Sequence, residues 1–519
     1  MIRKEEFNDL INSLDVGSSV AEQDLFLEEA KVETPVFNDF FDDKIDFVLG
    51  SKGSGKTSIF RLTYAIKGQL LDDRKIHIIT GVEPQGNAVF ESFKKDFKTF
   101  SESDFENFWK IYFINLIYNE FLASEPFAEE LKKYKSDIKS FIKECAAINV
   151  PQFKNVSGFR ELVSKTINAI KNSKRIKKVK GGMEYNPNQG SLLPQFEVEF
   201  ENNKITKEDK ELPIYVSKIG TILESLLGKM GYKIWILLDR LDVVFEHGST
   251  LEFIALRGLL KSYESFQISV GVPFKYLRIK IFLRDDILDF LSDPTKFKKI
   301  STYKSPKTLP ALTHITSRAT KTPLRWTKEE IQQLMLKRLF LSSPLGSYYE
   351  ISITDLNNEK IRNKIWAELF GDKVEPGDKK PDSLSWVYTR LSDSHQVTPR
   401  SAIDFLDGAI HEQIRLFKLN TINQERLFSP LSIKHGIVTA SNEKYMKETR
   451  NEYPEIVEYI EKLRGKSAGF KLSELQAIFG KNYSGIVSEL GKIGLLNKRG
   501  DEYKVSFVFR AALEIHPQY

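Results

Sequence analysis

A chain of 519 residues with one cysteine, Cys145, has no disulfide framework and no cysteine-built zinc module. Such thiol scarcity fits a reducing compartment. Long apolar runs are also missing. The longest useful one, Ile234–Leu238, falls far short of the ~18 residues of a membrane span. The opening MIRKEEFNDL mixes charges and has no apolar stretch behind it, so no signal peptide is read there. A cytoplasmic protein with no membrane association is the expectation. Seven scattered histidines show no ligand spacing with Asp or Glu, which argues against a histidine-built metal centre. No internal repeat recurs at a fixed period.

Apolar residues are plentiful: 41% of the chain is hydrophobic and 37 residues are Phe. Global disorder is excluded. The length exceeds what one hydrophobic core usually serves, so two or three folded units are expected. The net charge of +6 hides strong local imbalance. Residues 1–50 hold 4 basic and 13 acidic residues, residues 131–180 hold 14 and 3, and residues 294–325 hold 8 and none. Such asymmetry suggests anionic partners at particular places, the bland alternative being solvated surface segments.

Along the chain, Lys44–Leu49 reads as a short apolar strand ending at a glycine-rich turn, with Ile59, Leu62 and Ile66 at helical spacing behind it. A second strand, Lys75–Val82, comes next. Phe105, Phe108, Trp109, Tyr112, Phe113 and Leu116 predict a long amphipathic helix opened by a capping box from Ser103 to Glu106. This strand–helix alternation predicts an α/β core with a parallel sheet. Residues 120–215 read as an insertion containing a helix around Phe159–Ile170, a basic run and a small hairpin that includes Gln195–Phe200. The rhythm resumes with a strand at Lys233–Leu238, a helix at Leu251–Tyr263 and a strand at Leu277–Leu283. Residues 294–325 read as loop. Helices are expected from Thr327, with a Thr327–Glu330 capping box, then over Leu384–Leu391 and Arg400–Phe417. The expected division is a core over 1–345 carrying the 120–215 insertion, a helical lid over 346–445 and a C-terminal domain over 446–519.

The strongest chemical signal is Gly50-Ser51-Lys52-Gly53-Ser54-Gly55-Lys56-Thr57, a full match to G-x-x-x-x-G-K-[ST], with Ser58 behind it. Its flanks are those the motif needs, a strand before and a helix after. Glycines let backbone N–H groups converge on phosphate oxygens, and the helix N-terminus adds partial positive charge. Lys56 is expected to reach the β- and γ-phosphates of ATP, and the Thr57 hydroxyl to ligate Mg²⁺. Five apolar residues followed by Asp239 look like a central strand ending in the second metal carboxylate. Hydrolysis needs a group to orient water. Arg240 stands where many ring ATPases place Glu, so Asp242 is the candidate, its bland alternative being a solvated carboxylate. Arg284, ending the Leu277–Leu283 strand, either senses the γ-phosphate or pairs with Asp285 or Asp286. Arg400, opening a later helix after Thr398-Pro399, either closes over the nucleotide or is a surface cation.

With these marks in one order, the chain resembles a bacterial group of P-loop ATPases near the STAND and initiator-like branches of the AAA+ superfamily. Ala21-Glu22-Gln23-Asp24 upstream of the loop and Leu324-Arg325-Trp326-Thr327 before its helix carry the same resemblance. It covers most of the chain outside 120–215. It implies a P-loop NTPase core with a parallel sheet, a helical lid and a C-terminal winged helix. It also implies homo-oligomerisation in some members, a partner effector protein and a role in anti-phage defence. The absent Glu after Asp239 is nearer the STAND pattern, and implies slow or partner-stimulated turnover. Arg257 and Arg325 are the candidates for an arginine finger acting between subunits.

The last 66 residues predict helices at Pro454–Arg464, Leu472–Phe479 and Tyr483–Leu490, then a hairpin through Arg499-Gly500-Asp501 to Tyr503–Phe509: a winged helix. Its near-balanced charge is equally suited to DNA or to protein docking. DNA or RNA is better matched by Lys296, Lys298, Lys299, Lys304 and Lys307, interleaved with Phe297 and Tyr303, and by Lys171, Lys174, Arg175, Lys177, Lys178 and Lys180. The overall expectation is a Mg²⁺-dependent ATPase switch. Two alternatives stand beside it: a nucleotide-gated scaffold that does not hydrolyse, and an initiator-like DNA-remodelling motor.

Overall fold

A computed structural model describes residues 4–81, 95, 100–117, 120, 121, 127, 131–147, 164, 167, 176–186, 191–200, 212–241, 250–269, 272–292, 323–393, 396–419 and 426–516. The chain divides into two compact units. One comprises Asp39–Leu49 and Ile59–Pro323; the other comprises Met1–Asn38, Gly50–Ser58 and Leu324–Tyr519.

The first unit is α/β. Its longer strands are β1 (Phe47–Gly50), β2 (Ile76–Thr80), β3 (Ile176–Asn186), β4 (Ser191–Phe200), β5 (Lys233–Leu238) and β6 (Leu277–Arg284). A four-stranded sheet runs in the order β1-β6-β5-β2. Parallel register pairs Ile78 of β2 with Trp235 of β5, and Ile236 of β5 with Ile279 of β6. Every residue of β1 and β6 is buried, and all of β5 beyond Lys233. That is the burial of strands covered on both faces, and the continuous apolar run of β5 is its sequence mark. Around the sheet lie α1 (Lys56–Ala65), α2 (Glu102–Ile117), α3 (Lys135–Ala147), α4 (Leu212–Met230), α5 (Thr250–Gln267) and α6 (Asp285–Ser292).

Three expectations change here. Helix α2 is buried at Phe105 and at every position from Phe108 to Ile117, so it is a core helix rather than an amphipathic one. Its cap lies two residues earlier than the sequence suggested. Ser101 Oγ accepts from Asp104 N at 3.2 Å, and Asp104 Oδ2 accepts from Ser101 N at 2.8 Å. Arg257 is also not a finger. It is fully buried on α5, bonded through Nε to Glu102 Oε2 at 2.9 Å and through Nη1 to the Leu291 carbonyl at 3.0 Å.

Lys280, buried inside β6, is an unusual tenant of a central strand. Its ammonium donates to Asp43 Oδ1 at 2.7 Å, Asp46 Oδ1 at 3.0 Å and the Ile45 carbonyl at 2.7 Å. Tyr263 closes the cluster by donating to Asp46 Oδ2 at 2.8 Å. Buried charge is tolerated because each partner is hydrogen-bonded. The expected hairpin of the insertion is present as antiparallel β3 and β4.

The second unit is mostly helical and has two cores. Helices α7 (Lys328–Leu341), α8 (Glu359–Phe370), α9 (Ser383–Leu391), α10 (Pro399–Lys418) and α11 (Pro430–Glu443) build the larger core, joined by Leu10, Ile11, Leu14, Val16 and Val32 of the N-terminal stretch. The Thr327–Glu330 capping box opens α7 as expected. The N-terminal stretch is anchored by a buried ion pair between Asp24 and Arg338, whose Nη1 also donates to the Val16 carbonyl at 2.6 Å.

The smaller core gathers Ile460, Leu475, Leu490, Val505 and Phe509. Its elements are α12 (Val457–Glu461), β7 (Gly469–Lys471), α13 (Leu472–Phe479), α14 (Tyr483–Lys492), β8 (Leu496–Arg499) and β9 (Glu502–Val505). The three strands form an antiparallel sheet in the order β8-β9-β7. No described helix is long and apolar enough to cross a membrane.

Candidate functional site

The glycine-rich loop leaves β1 and runs into α1, so its sequence flanks are those expected. Gly53 and Gly55 hold φ of +73° and +98°, the left-handed region that side chains resist. Both glycines are therefore required by the backbone path. Gly50 is required by space: a Cβ there would sit 2.5 Å from Ser54 Oγ.

Lys56 folds back into this loop. Its ammonium donates to the carbonyls of Gly50 at 2.7 Å and Ser51 at 2.8 Å. Neutral carbonyls are weaker partners for an ammonium than phosphate oxygens, so these bonds are exchangeable for an anionic ligand. Ser54 is wholly buried, and its hydroxyl finds no hydrogen-bond partner among the described residues. The loop's donor set, left-handed glycines and lysine at the helix start fit a polyphosphate.

Its surroundings come from the far end of the chain. Trp326 Nε1 donates to the Ser54 carbonyl at 2.7 Å, and Gln396 Nε2 donates to Ser51 Oγ at 2.7 Å. A Cβ on Gly53 would meet Arg400 Cβ and Thr398 Oγ1 at 3.4 Å and Glu448 Oε1 at 3.6 Å. Arg400 thus lies beside the loop, at the start of α10, where Thr398 caps the helix. Its Nη1 donates to Glu448 Oε1 at 3.0 Å. Lys52 pairs with Glu452. Burial opposes charge on Glu448, but Lys444, Arg400 and Lys52 outweigh it and hold the carboxyl below the usual carboxylate range.

In the α/β unit, the parallel strands bring their carboxyl ends to one sheet edge. Asp239 follows β5 and Arg284 ends β6; both are buried, on adjacent strands. Strand β6 separates β5 from β1, so Arg284 stands between the metal-strand candidate and the strand that feeds the loop. Arg240, next to Asp239, has a φ of +55°, a strained value for a non-glycine residue.

Comparisons with protein families, curated proteins and solved structures give no match. The loop's own geometry therefore carries the reading.

Asp242 and the basic residues Lys171, Lys174, Arg175, Lys296, Lys298, Lys299, Lys304 and Lys307 lie outside the described residues. Lys177, Lys178 and Lys180 fall on β3, whose register sets Lys178 opposite Glu199 and Lys180 opposite Glu197. Arg325 is exposed. Sequence reasoning missed Gln396, Glu448 and Glu452, since no local pattern marks a residue for a loop more than 300 positions upstream. Trp326 was singled out only as part of a family mark. No group of three or more His, Cys, Asp or Glu converges on a metal site among the described residues.

Proposed function

We propose that this chain is a P-loop ATPase of the AAA+/STAND-like group, binding ATP with Mg²⁺ on Gly50–Ser58 and hydrolysing it as a molecular switch. The observation that carries the reading is the loop: two left-handed glycines between a buried strand and a helix start, with Lys56 turned inward upon exchangeable carbonyls. Lys56 binds the β- and γ-phosphate oxygens, and the loop backbone holds the remaining charge. Mg²⁺ would be held by Thr57 and Asp239 and would supply neutralisation of phosphate charge. Arg284 and Arg400 are the cations for the charge that develops on the γ-phosphoryl group. Asp242 accepts a proton from the attacking water. Water bonds to the γ-phosphorus, the bond to the β,γ-bridging oxygen breaks, and ADP and phosphate leave.

The C-terminal helices and antiparallel strands constitute a winged helix in this reading, and α7–α11 the lid. The switch acts in prokaryotic defence, through a homo-oligomer, an effector protein or nucleic acid. That role rests on the family resemblance alone.

A non-hydrolysing scaffold is the second reading, favoured by Arg240 in the place of a water-activating Glu. Titration calorimetry with ATP and a phosphate-release assay separate the two. Wild type should bind ATP, and Lys56→Ala should weaken binding by about 30-fold or more. Turnover that disappears in Asp242→Ala supports the ATPase. Binding without turnover above Lys56→Ala supports the scaffold, and absence of ATP binding removes both.

A further inference from the structure

Helix α11 does not end the helical path at Glu443. The chain continues through a π-helical turn, Lys444–Thr449, and the short helix Arg450–Glu452 before Pro454 interrupts it. A π turn holds one more residue than an α turn and re-aims the residues beyond it; such turns recur at functional sites. Here it directs acidic residues at the phosphate loop. Glu448 bonds Arg400 at 3.0 Å and lies against Gly53, while Glu452 pairs with Lys52 of the loop itself. Lys444, at the root of the turn, braces Glu448 from behind at 2.8 Å.

The arrangement is paradoxical for an anion site. A loop shaped for polyphosphate has two carboxylates drawn up to it, and they hold two of the cations that an incoming phosphate would use. Glu448 is only 7% exposed, so its charge is poorly screened by solvent. An anion arriving at the loop meets repulsion from these carboxylates unless they withdraw. Like charges brought together in a half-buried site cost more than the same charges in water.

We propose that Glu448 and Glu452 form an acidic counter-arm that competes with the terminal phosphates of a nucleotide for Arg400 and Lys52, so that nucleotide binding and docking of the Lys444–Glu452 arm oppose each other. The proposal rests on the reading of Gly50–Ser58 as a nucleotide site. Its reach beyond that site comes from where the arm leads. Tyr445, within the arm, is a buried member of the smaller C-terminal core, and the chain enters that core directly after Tyr453. Displacing the arm therefore perturbs the C-terminal elements. By linkage, whatever displaces the C-terminal elements tightens nucleotide binding by the same factor.

The test uses the full chain, with ATP and ADP as probes in titration calorimetry, and hydrogen exchange across residues 444–452. Glu452→Gln is the principal variant because its side chain, 20% exposed, is the less buried of the two carboxylates. Glu448→Gln and the double variant accompany it. ATP affinity is expected to rise about fivefold or more in the double variant, with a smaller rise for ADP. ATP should speed exchange across the arm of the wild type, and the double variant should exchange fast before ATP is added. A merely structural role for the carboxylates predicts no gain in affinity. Unchanged or weaker ATP binding in Glu452→Gln, or slower exchange of the arm with ATP, overturns the counter-arm. When wild type binds ATP and Lys56→Ala does not, that failure leaves the nucleotide site standing. If wild type binds neither nucleotide, the nucleotide site itself is refuted and the counter-arm with it.

Discussion

Gln396 donates its side-chain amide to Ser51 Oγ at 2.7 Å across a separation of 345 residues. Its carbonyl accepts from the backbone of Trp326 at 3.3 Å, and the Trp326 indole donates to Ser54 at 2.7 Å. Gln396 and Trp326 thereby hold both shoulders of one tight loop.

Replacing Trp326 with Phe keeps a ring but removes the indole donor, leaving the Ser54 carbonyl without this bond. Loss of about 1–3 kcal/mol is expected, since a buried acceptor deprived of its partner retains its desolvation cost. Urea denaturation reads the stability change, and ATP titration should show a parallel loss of affinity. Unaltered affinity would mean that the brace does not shape the loop.

Glycine substitutions should divide by backbone geometry. Gly53→Ala forces a methyl group into a left-handed conformation beside Arg400 and Thr398, at a cost of about 1–2 kcal/mol. Gly485→Ala lies within α14, with no heavy atom near the added methyl and no positive φ, and should stabilise by about 0.5 kcal/mol or more. Thermal melts of the two variants should move in opposite directions.

Asp404 lies one turn beyond Arg400 on α10. Burial pushes its carboxyl up to about 7; Glu448 and Glu443 add to the rise, while a Ser19 hydrogen bond and Arg400 oppose it. The unfolded chain titrates the same group near 3.8. Between those values the folded protein holds the extra proton, so this group's contribution is full below the lower one and is lost as pH rises through the upper. Asp404→Asn should therefore melt above wild type at pH 8 and level with it near pH 4. A gap of equal size at both pH values would refute the titration.

Asp24→Ala should be severe. It removes the carboxylate partner of Arg338, which is 3% exposed, and a buried charge deprived of its partner costs about 3–5 kcal/mol. Loss of Tm should come with faster proteolysis of the N-terminal stretch, because Val16 and Val32 dock through the same neighbourhood. A melt within a degree of wild type would show that the pair contributes little.

Local chemistry was legible in the sequence; distant partnership was not. Ile234–Leu238 announced a central strand because burial on both faces demands an unbroken apolar run; Leu277–Leu283 read only as a strand, and Arg278 and Lys280 inside it are explained only by the acids that meet them in space. Thr327 and Glu330 announced a helix start because a capping box is confined to four consecutive residues. The cap of α2 was misplaced because Ser101 and Ser103 each have an acid three residues on, and only packing chooses between them. Gly469–Lys471 escaped notice because three residues beginning with glycine carry no strand period. Glu448 and Glu452 were invisible for a different reason: a π turn decides where they point, and no spacing rule for ordinary helices includes it.

The loop belongs with Leu324–Tyr519 rather than with the bulk of the strand and helix that flank it in sequence. Its nine residues leave the ribosome well before Trp326, Gln396, Arg400 and Glu452. A nascent chain therefore carries the motif for a long stretch of synthesis without the side chains that brace it. Contacts of such long sequence separation are closed last and slowly. The counter-arm's acids follow Gln396 and Arg400 closely in the chain, so each new molecule assembles its phosphate loop and the restraint upon it in nearly the same moment.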